Sequence, residues 1–226
     1  GGARDTLLGH PFNLACDVRP VVALGSHFVA NLGDPYAGPR HAFDVADLER
    51  DVVAWLGRLW DWDCAGETSW GAVVAGTSDA NLSALHLARE ALPMAVLLHG
   101  EEAHHSGPRA ARLLRMESVA VACGPDGAIL PDAIAAALPA LAGRPVVLAL
   151  TCGTTLKGGH DDIAACLAAL DGAGYGPDRR FVHVDAALDG LVVPFMRDAP
   201  EGIRPSFRLP LDSIATSGHH MIGTPM

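Results

Sequence analysis

Five short, continuous apolar runs dominate this sequence, and little else constrains the chain as much. They are Ala95–Leu98, Val119–Ala122, Val146–Leu150, Phe181–Val184 and Ser213–Ala215, with helical patterns near 107–115, 131–141 and 161–170 between most of them. A strand that is apolar at every position has both faces buried, which is the pattern of a parallel sheet covered by helices on each side. The expectation is therefore an α/β fold with a mostly parallel sheet. Upstream, Val45, Leu48, Val52, Leu56 and Leu59 recur at helical spacing behind Asp44, a plausible N-cap. Gly71-Ala-Val-Val-Ala-Gly76 reads as a further short buried strand, leading into a helix that carries Leu82, Leu85 and Leu92. The Pro- and Arg-containing stretch from Met196 to Pro210 reads as a surface excursion between two strands.

Composition narrows the functional classes. The 226 residues, half of them hydrophobic, suit one compact domain with a large core. A formal net charge of −10, with no compensating basic cluster, excludes a general binder of nucleic acid or anionic membrane. The five cysteines (Cys16, Cys64, Cys123, Cys152, Cys166) form no CxxC pair, which argues against a disulfide framework or zinc ribbon and for a cytoplasmic setting. No apolar run reaches membrane-spanning length, and the start lacks the basic-then-apolar form of a signal peptide. Gly1-Gly2 reads as a processing scar or a truncation edge.

In a parallel sheet, ligands bind where strands end and helices begin, so the junctions carry the functional reading. Gly76-Thr-Ser-Asp-Ala-Asn81 places small and hydroxyl residues at a helix start, suited to an anion such as phosphate or to an ordinary N-cap turn. Glu101-Glu-Ala-His-His-Ser106 offers a histidine able to stack on a flat ligand or move a proton. Glu102, His104 and His105 are close enough to raise the question of a metal, yet their spacing matches none of the strong zinc patterns, and no metal site is expected. Thr151-Cys-Gly-Thr-Thr-Leu-Lys-Gly158 is a hydroxyl-bearing turn, followed by an Asp161-Asp162 pair that reads as an N-cap. Phe181-Val-His-Val-Asp-Ala-Ala-Leu188 ends an apolar strand on an acid that requires a partner: a protonated pyridine nitrogen, a metal or an arginine.

Taken in order, these blocks resemble the group II pyridoxal-phosphate-dependent amino acid decarboxylases, and among them the bacterial-type histidine decarboxylases. The resemblance rests on Asn31-Leu-Gly-Asp-Pro35, Asn81-Leu with Leu87-Ala-Arg-Glu90, His104–Ser106 with Ala110-Ala-Arg-Leu-Leu-Arg-Met116, and Gly153-Thr-Thr-Leu-Lys-Gly158 with Asp161-Asp162. It continues through His183-Val-Asp-Ala-Ala-Leu188, Asp212-Ser-Ile, Ser217-Gly-His219 and Gly223-Thr-Pro-Met226. It implies the large domain of the fold-type I pyridoxal-phosphate (PLP) transferases over residues 44–226, behind an N-terminal segment 1–43, incomplete at the C-terminus.

The resemblance also implies roles. His104 would stack on the cofactor ring, Asp185 would pair with its ring nitrogen, and Ala187 would pack on the face opposite His104. Ser78 and Asp79 would occupy the phosphate loop, with Ser217 and His219 as further phosphate-side contacts. Thr154 would lie near the cofactor's hydroxyl side. An amino acid, histidine or a relative, would be the substrate, and a homodimer or a pairing with a chain supplying the missing C-terminal part would be the assembly.

The departures are specific. Ala80 stands where the family has a glycine, His105 where tyrosine is common, and Arg109 where lysine is expected. His220 occupies the position of the lysine that carries the cofactor as a Schiff base, so PLP would be held noncovalently, with the imidazole available as acid or base. The chain ends six residues later, whereas such enzymes continue into a small C-terminal domain. The expectations are thus a PLP-dependent decarboxylase or a divergent derivative, or alternatively a pseudo-decarboxylase acting as a cofactor-binding or assembly subunit.

Overall fold

The computed structural model describes residues 17, 19–27, 33–37, 44–63 and 69–224. The motif residues Asn31, Leu32, Pro225 and Met226, with Cys16 and Cys64, lie outside the described residues. A one-turn helix α1 (Arg19–Val22) is followed by α2 (Ala46–Leu59) and α3 (Thr77–Ala91). Strands and helices then alternate: β1 (Val96–Gly100), α4 (Ser106–Leu113), β2 (Ser118–Val121), α5 (Pro131–Ala137), β3 (Val146–Thr151), α6 (Ile163–Gly172), β4 (Arg180–Ala186) and β5 (Ser213–Thr216). All five apolar runs are strands, paired in parallel in the order β2-β1-β3-β4-β5. The chain leaves β1 for one side and returns to pair on its other side as β3. That reversal opens a crevice at the strands' C-terminal ends.

The two faces of the sheet are filled differently. Val96 and Leu98 of β1, Val146, Leu148 and Leu150 of β3, and Val182, Val184 and Ala186 of β4 share one face and pack with Ile134 of α5 and Ile163, Cys166, Leu167 and Leu170 of α6. The alternate residues Leu97, Val147 and Ala149, with half-buried Phe181, face Leu85 and Ala88 of α3 and Ala110 and Ala111 of α4. Burial of a leucine or valine of this kind contributes about 1.5–3 kcal/mol, which fixes the register, because a one-residue slip would exchange the faces.

Four expectations change in the structure. Gly71–Gly76 is not a strand: Val73 and Val74 are 48% and 38% exposed, and no strand among the described residues pairs with them. The Val73 N–H instead donates to Glu49 Oε1 (2.7 Å), and Gly71 lies so close to Val53 that a Cβ there would meet its Cγ1 at 2.6 Å. These contacts also set the orientation of α2, which buries Ala46, Glu49, Val53 and Gly57 and turns Leu48, Val52 and Trp55 outward. Asp44 supports α2 from one residue before the cap, accepting from the Ala46 N–H (2.7 Å). The 196–210 stretch is not merely superficial. Ile203, Phe207 and Leu209 pack on the α5/α6 core, and Phe207 N–H donates to the Trp60 carbonyl (2.8 Å), tying the end of α2 to the sheet.

Candidate active site

The crevice at the switch point is lined by Asn81 and Leu85 of α3, His99 of β1, Ala103, His104, Gly107 and Pro108 around the start of α4, and Thr151, His183 and Asp185 at the ends of β3 and β4. On β4, period-two alternation sends His183 and Asp185 to the α3/α4 face. Asn81 meets them from the first turns of α3.

A continuous hydrogen-bond network joins these groups. Asn81 Nδ2 donates to Asp185 Oδ2 (2.7 Å) and to Ser106 Oγ (2.9 Å), while its Oδ1 faces His183 Nε2 (3.0 Å). His183 Nδ1 faces Ser213 Oγ (2.8 Å), and the second Asp185 oxygen accepts from the Ala187 N–H (3.1 Å). Ser106 Oγ lies 2.9 Å from His104 Nδ1, and the Ser106 backbone N–H donates to the same nitrogen (3.3 Å). On the other side, His220 Nδ1 meets the Ala187 carbonyl (3.0 Å), and its ring lies 4.0 Å from that of His219. Asp185, Ala187, His104 and His220, singled out separately in the sequence, are thus linked through atoms of one network.

Donor and acceptor accounting fixes the histidine states. A backbone N–H only donates, so His104 Nδ1 accepts, and its proton sits on Nε2. Burial lowers the His104 pKa, helped by the neighbouring His105 ring 4.1 Å away and opposed by Asp185. His183 is fully enclosed, and burial pushes its pKa down to about 4 against the opposing pull of Asp185. Both rings are held neutral near pH 7.

The residues that the resemblance assigns to a phosphate lie at the start of α3 and just after β5. Ser78 and Asp79 are exposed, whereas Thr77 is buried and its Oγ1 has no hydrogen-bond partner among the described residues. Ser217 is buried just after β5, its Oγ 2.7 Å from His219 Nδ1. Thr154 lies elsewhere. It is buried, its Oγ1 accepts from Gly159 N–H (2.8 Å), and it closes the turn that follows β3. It is absent from the crevice lining.

That turn contains Lys157, the one lysine among the 226 residues, ion-paired with Glu102 at 2.7 Å. Beside it, the two acids read together as a cap have separate tasks. Asp162 is the α6 N-cap, accepting from Ala165 N–H (2.9 Å). Asp161 is buried and accepts from the backbone N–H groups of Ile129 and Thr151, both at 2.6 Å. Burial raises its pKa to about 6 despite those two bonds. Among the described residues, no three His, Cys, Asp or Glu side chains converge on a metal-sized site.

Asn81, Ser106 and His183 carry much of this geometry without having been assigned roles from the sequence. His183 had a signal: it shares parity with Asp185 on an apolar strand, so it had to be buried on the same face.

The sequence profile of the pyridoxal-dependent decarboxylase conserved domain matches residues 40–226. The chain belongs to that family. Histidine decarboxylase of Mesorhizobium japonicum is 35% identical over 224 residues, covering 99% of this chain and 59% of the relative. Serine decarboxylase 2 of Oryza sativa subsp. japonica is 31% identical over 219 residues, covering 97% of this chain and 46% of the relative. The chain spans about half the length of the curated relatives it matches. L-methionine decarboxylase from Streptomyces sp. 590, in complex with L-methionine methyl ester, superposes with a TM-score of 0.83 at 24% identity, over 98% of this chain and 63% of that one. At that identity the likeness establishes the fold alone, which is that of the fold-type I PLP decarboxylases.

Proposed function

We propose that this chain carries the cofactor-binding core of a cytosolic, homodimeric PLP-dependent decarboxylase acting on histidine or a related amino acid, with residues 1–43 as an N-terminal segment and 44–226 as the large domain. The observation that carries the reading is the Asp185 carboxylate, fixed by Asn81 and Ala187 at the end of β4 in a crevice bordered by His104. The residues present fit the cofactor. A carboxylate at a strand end suits a protonated ring nitrogen, and the buried Thr77 hydroxyl, without a partner among the described residues at the start of a 15-residue helix, suits a phosphate. The exposed apolar stripe Leu48, Val52 and Trp55 on α2 supports a second copy as partner.

In this reading Thr77 and Ser78 hold the phosphate from the α3 N-terminus, with Ser217 and His219 beside them. Asp185 balances the ring nitrogen's positive charge, and His104 and Ala187 border the two ring faces. When bound, the cofactor supplies the electron sink for loss of the substrate carboxylate. The protein's own work is to hold Asp185 in place, to keep His104 neutral with its proton on Nε2, and to exclude water with the α3/α4 layer. His220 stands in the family's lysine position. It has no primary amine, and its Nδ1 is engaged with the Ala187 carbonyl.

The experiment is to add PLP to the purified protein, record the absorbance, reduce with borohydride and map any fixed label. Carbon dioxide release is then followed with histidine, serine and methionine. Cofactor binding without lysine fixation, slow turnover, and a gain of several orders of magnitude in His220→Lys are expected. Binding with no turnover in either protein favours the pseudo-decarboxylase reading, in which the chain is a binding or assembly subunit. No binding at all sinks the proposal. Covalent fixation on Lys157 would overturn the role given to His220.

A further inference from the structure

We propose that Asn81 is the positioning residue of this site: its side-chain amide fixes the tautomer of His183 and the orientation of Asp185, and through Ser106 it steadies His104. The proposal rests on the PLP reading for its functional consequence, but its structural core stands on geometry alone.

Asn81 has two amide orientations, and only one is compatible with its neighbours. With Nδ2 toward Asp185 and Ser106, both amide protons are used, and Oδ1 accepts from His183 Nε2. The flipped amide would set Oδ1 against a carboxylate oxygen at 2.7 Å, two acceptors without a proton between them. The observed orientation requires a proton on His183 Nε2, so His183 Nδ1 must accept from the Ser213 hydroxyl at 2.8 Å. Ser106 Oγ, having accepted from Asn81, is free to donate to His104 Nδ1. Each group then has one role, and the assignment is closed. Buried networks of this kind favour a single arrangement because every alternative strands a polar atom.

The titratable groups facing this network are His99 from β1, His104 and His105 before α4, and Asp185 from β4. None of them bonds Asn81 Oδ1, so the His183 tautomer answers to Asn81. Asn81 acts through Asp185, to which it is bonded directly, and through His104 by way of Ser106.

The test uses the full chain labelled with ¹⁵N-histidine, with ring tautomers read by NMR and PLP affinity measured by titration. In the wild type, His183 is expected as a single neutral Nε2–H tautomer. Asn81→Leu should give a tautomer mixture at His183 and weaken PLP binding about 10- to 100-fold, the loss expected for a charge-assisted hydrogen bond. Asn81→Asp keeps the acceptor toward His183 but sets a second carboxyl against Asp185, so that the two share a proton and Ser106 loses its donor. His183 should keep its tautomer and titrate higher beside the carboxyl pair, while PLP affinity falls because the shared proton lowers the charge on Asp185. Should Asn81→Leu not fold, Asn81→Asp and Ser106→Ala carry the test, the latter altering His104 and leaving His183 unchanged. An Nδ1–H tautomer at wild-type His183, or an Asn81→Asp protein with unaltered His183 titration and PLP affinity, overturns the proposal. A wild type that shows the expected tautomers but binds no PLP sinks the functional reading alone.

Discussion

The two faces of the sheet come from the same strands and do opposite things. Toward α5 and α6, Val96, Leu98, Val146, Leu148, Leu150, Val182, Val184 and Ala186 form an aliphatic face, interrupted at its margin by Arg180, which is buried at the start of β4 and paired with Asp171 of α6. Toward α3 and α4, the aliphatic residues stop one or two positions short of the strands' C-terminal ends, giving way to His99, Thr151, His183 and Asp185. The first face is where hydrophobic burial supplies stability. The second gives up some of that burial so that polar groups can converge, and their desolvation is offset only because Asn81, Ser106 and Ser213 satisfy them. Fold and site are thus separable by side-chain parity along β1, β3 and β4.

That separation can be broken at either face. Leu148→Ala, in the fully buried aliphatic face, should cost about 2–5 kcal/mol by denaturant unfolding, because a cavity is left between β3 and the helices. A cost below 1 kcal/mol would show that this face is not the main source of stability. Asp185→Asn, on the polar face, should cost only about 1–3 kcal/mol of stability, and under the proposed pairing with a protonated ring nitrogen it should weaken PLP binding at least about tenfold, since a neutral amide would leave that charge unbalanced. Equal PLP affinity in the variant would remove Asp185 from the site.

The pH dependence sharpens the comparison, because one buried group beside each face titrates with opposite sign. Asp161 has a folded pKa of about 6, above its unfolded value, so between about pH 4 and 6 the native state binds more protons, and stability falls as pH rises. His183 has a folded pKa of about 4, below its unfolded value, so between about pH 4 and 6.5 the unfolded state binds more protons, and stability rises with pH. Asp161→Asn should therefore tilt the profile of unfolding free energy against pH upward relative to wild type, and His183→Leu should tilt it downward. Variant profiles parallel to the wild type would mean that neither group is perturbed by burial. At the small end, Leu156→Ser changes a residue 88% exposed in the Lys157 turn and should move stability by no more than about 0.5 kcal/mol in thermal unfolding.

The legible part of the sequence was the part governed by local periodicity. The five strands followed from runs apolar on both parities, and the chemistry at their ends followed from where those runs stopped. Gly71–Gly76 failed the same rule because an apolar run becomes a strand only if a neighbour supplies hydrogen bonds, and here Glu49 took the Val73 N–H instead. The outward stripe on α2 failed similarly, since which stripe is buried depends on what the helix packs against. Asp161 and Asp162, adjacent and identical, ended as a buried bridge and a surface cap because the chain turns between them.

By itself, then, the sequence determined the class of fold, the family, and the presence of His104, Asp185 and His220 at the junctions that follow strands. Only the tertiary structure decided what holds them. Asn81 lies 104 residues from Asp185 and 102 from His183, and no local pattern relates positions so far apart. Parity along β4 fixes that His183 and Asp185 share a face. Which helix covers that face, and which of its side chains arrives there, is set by the packing of α3 across the sheet.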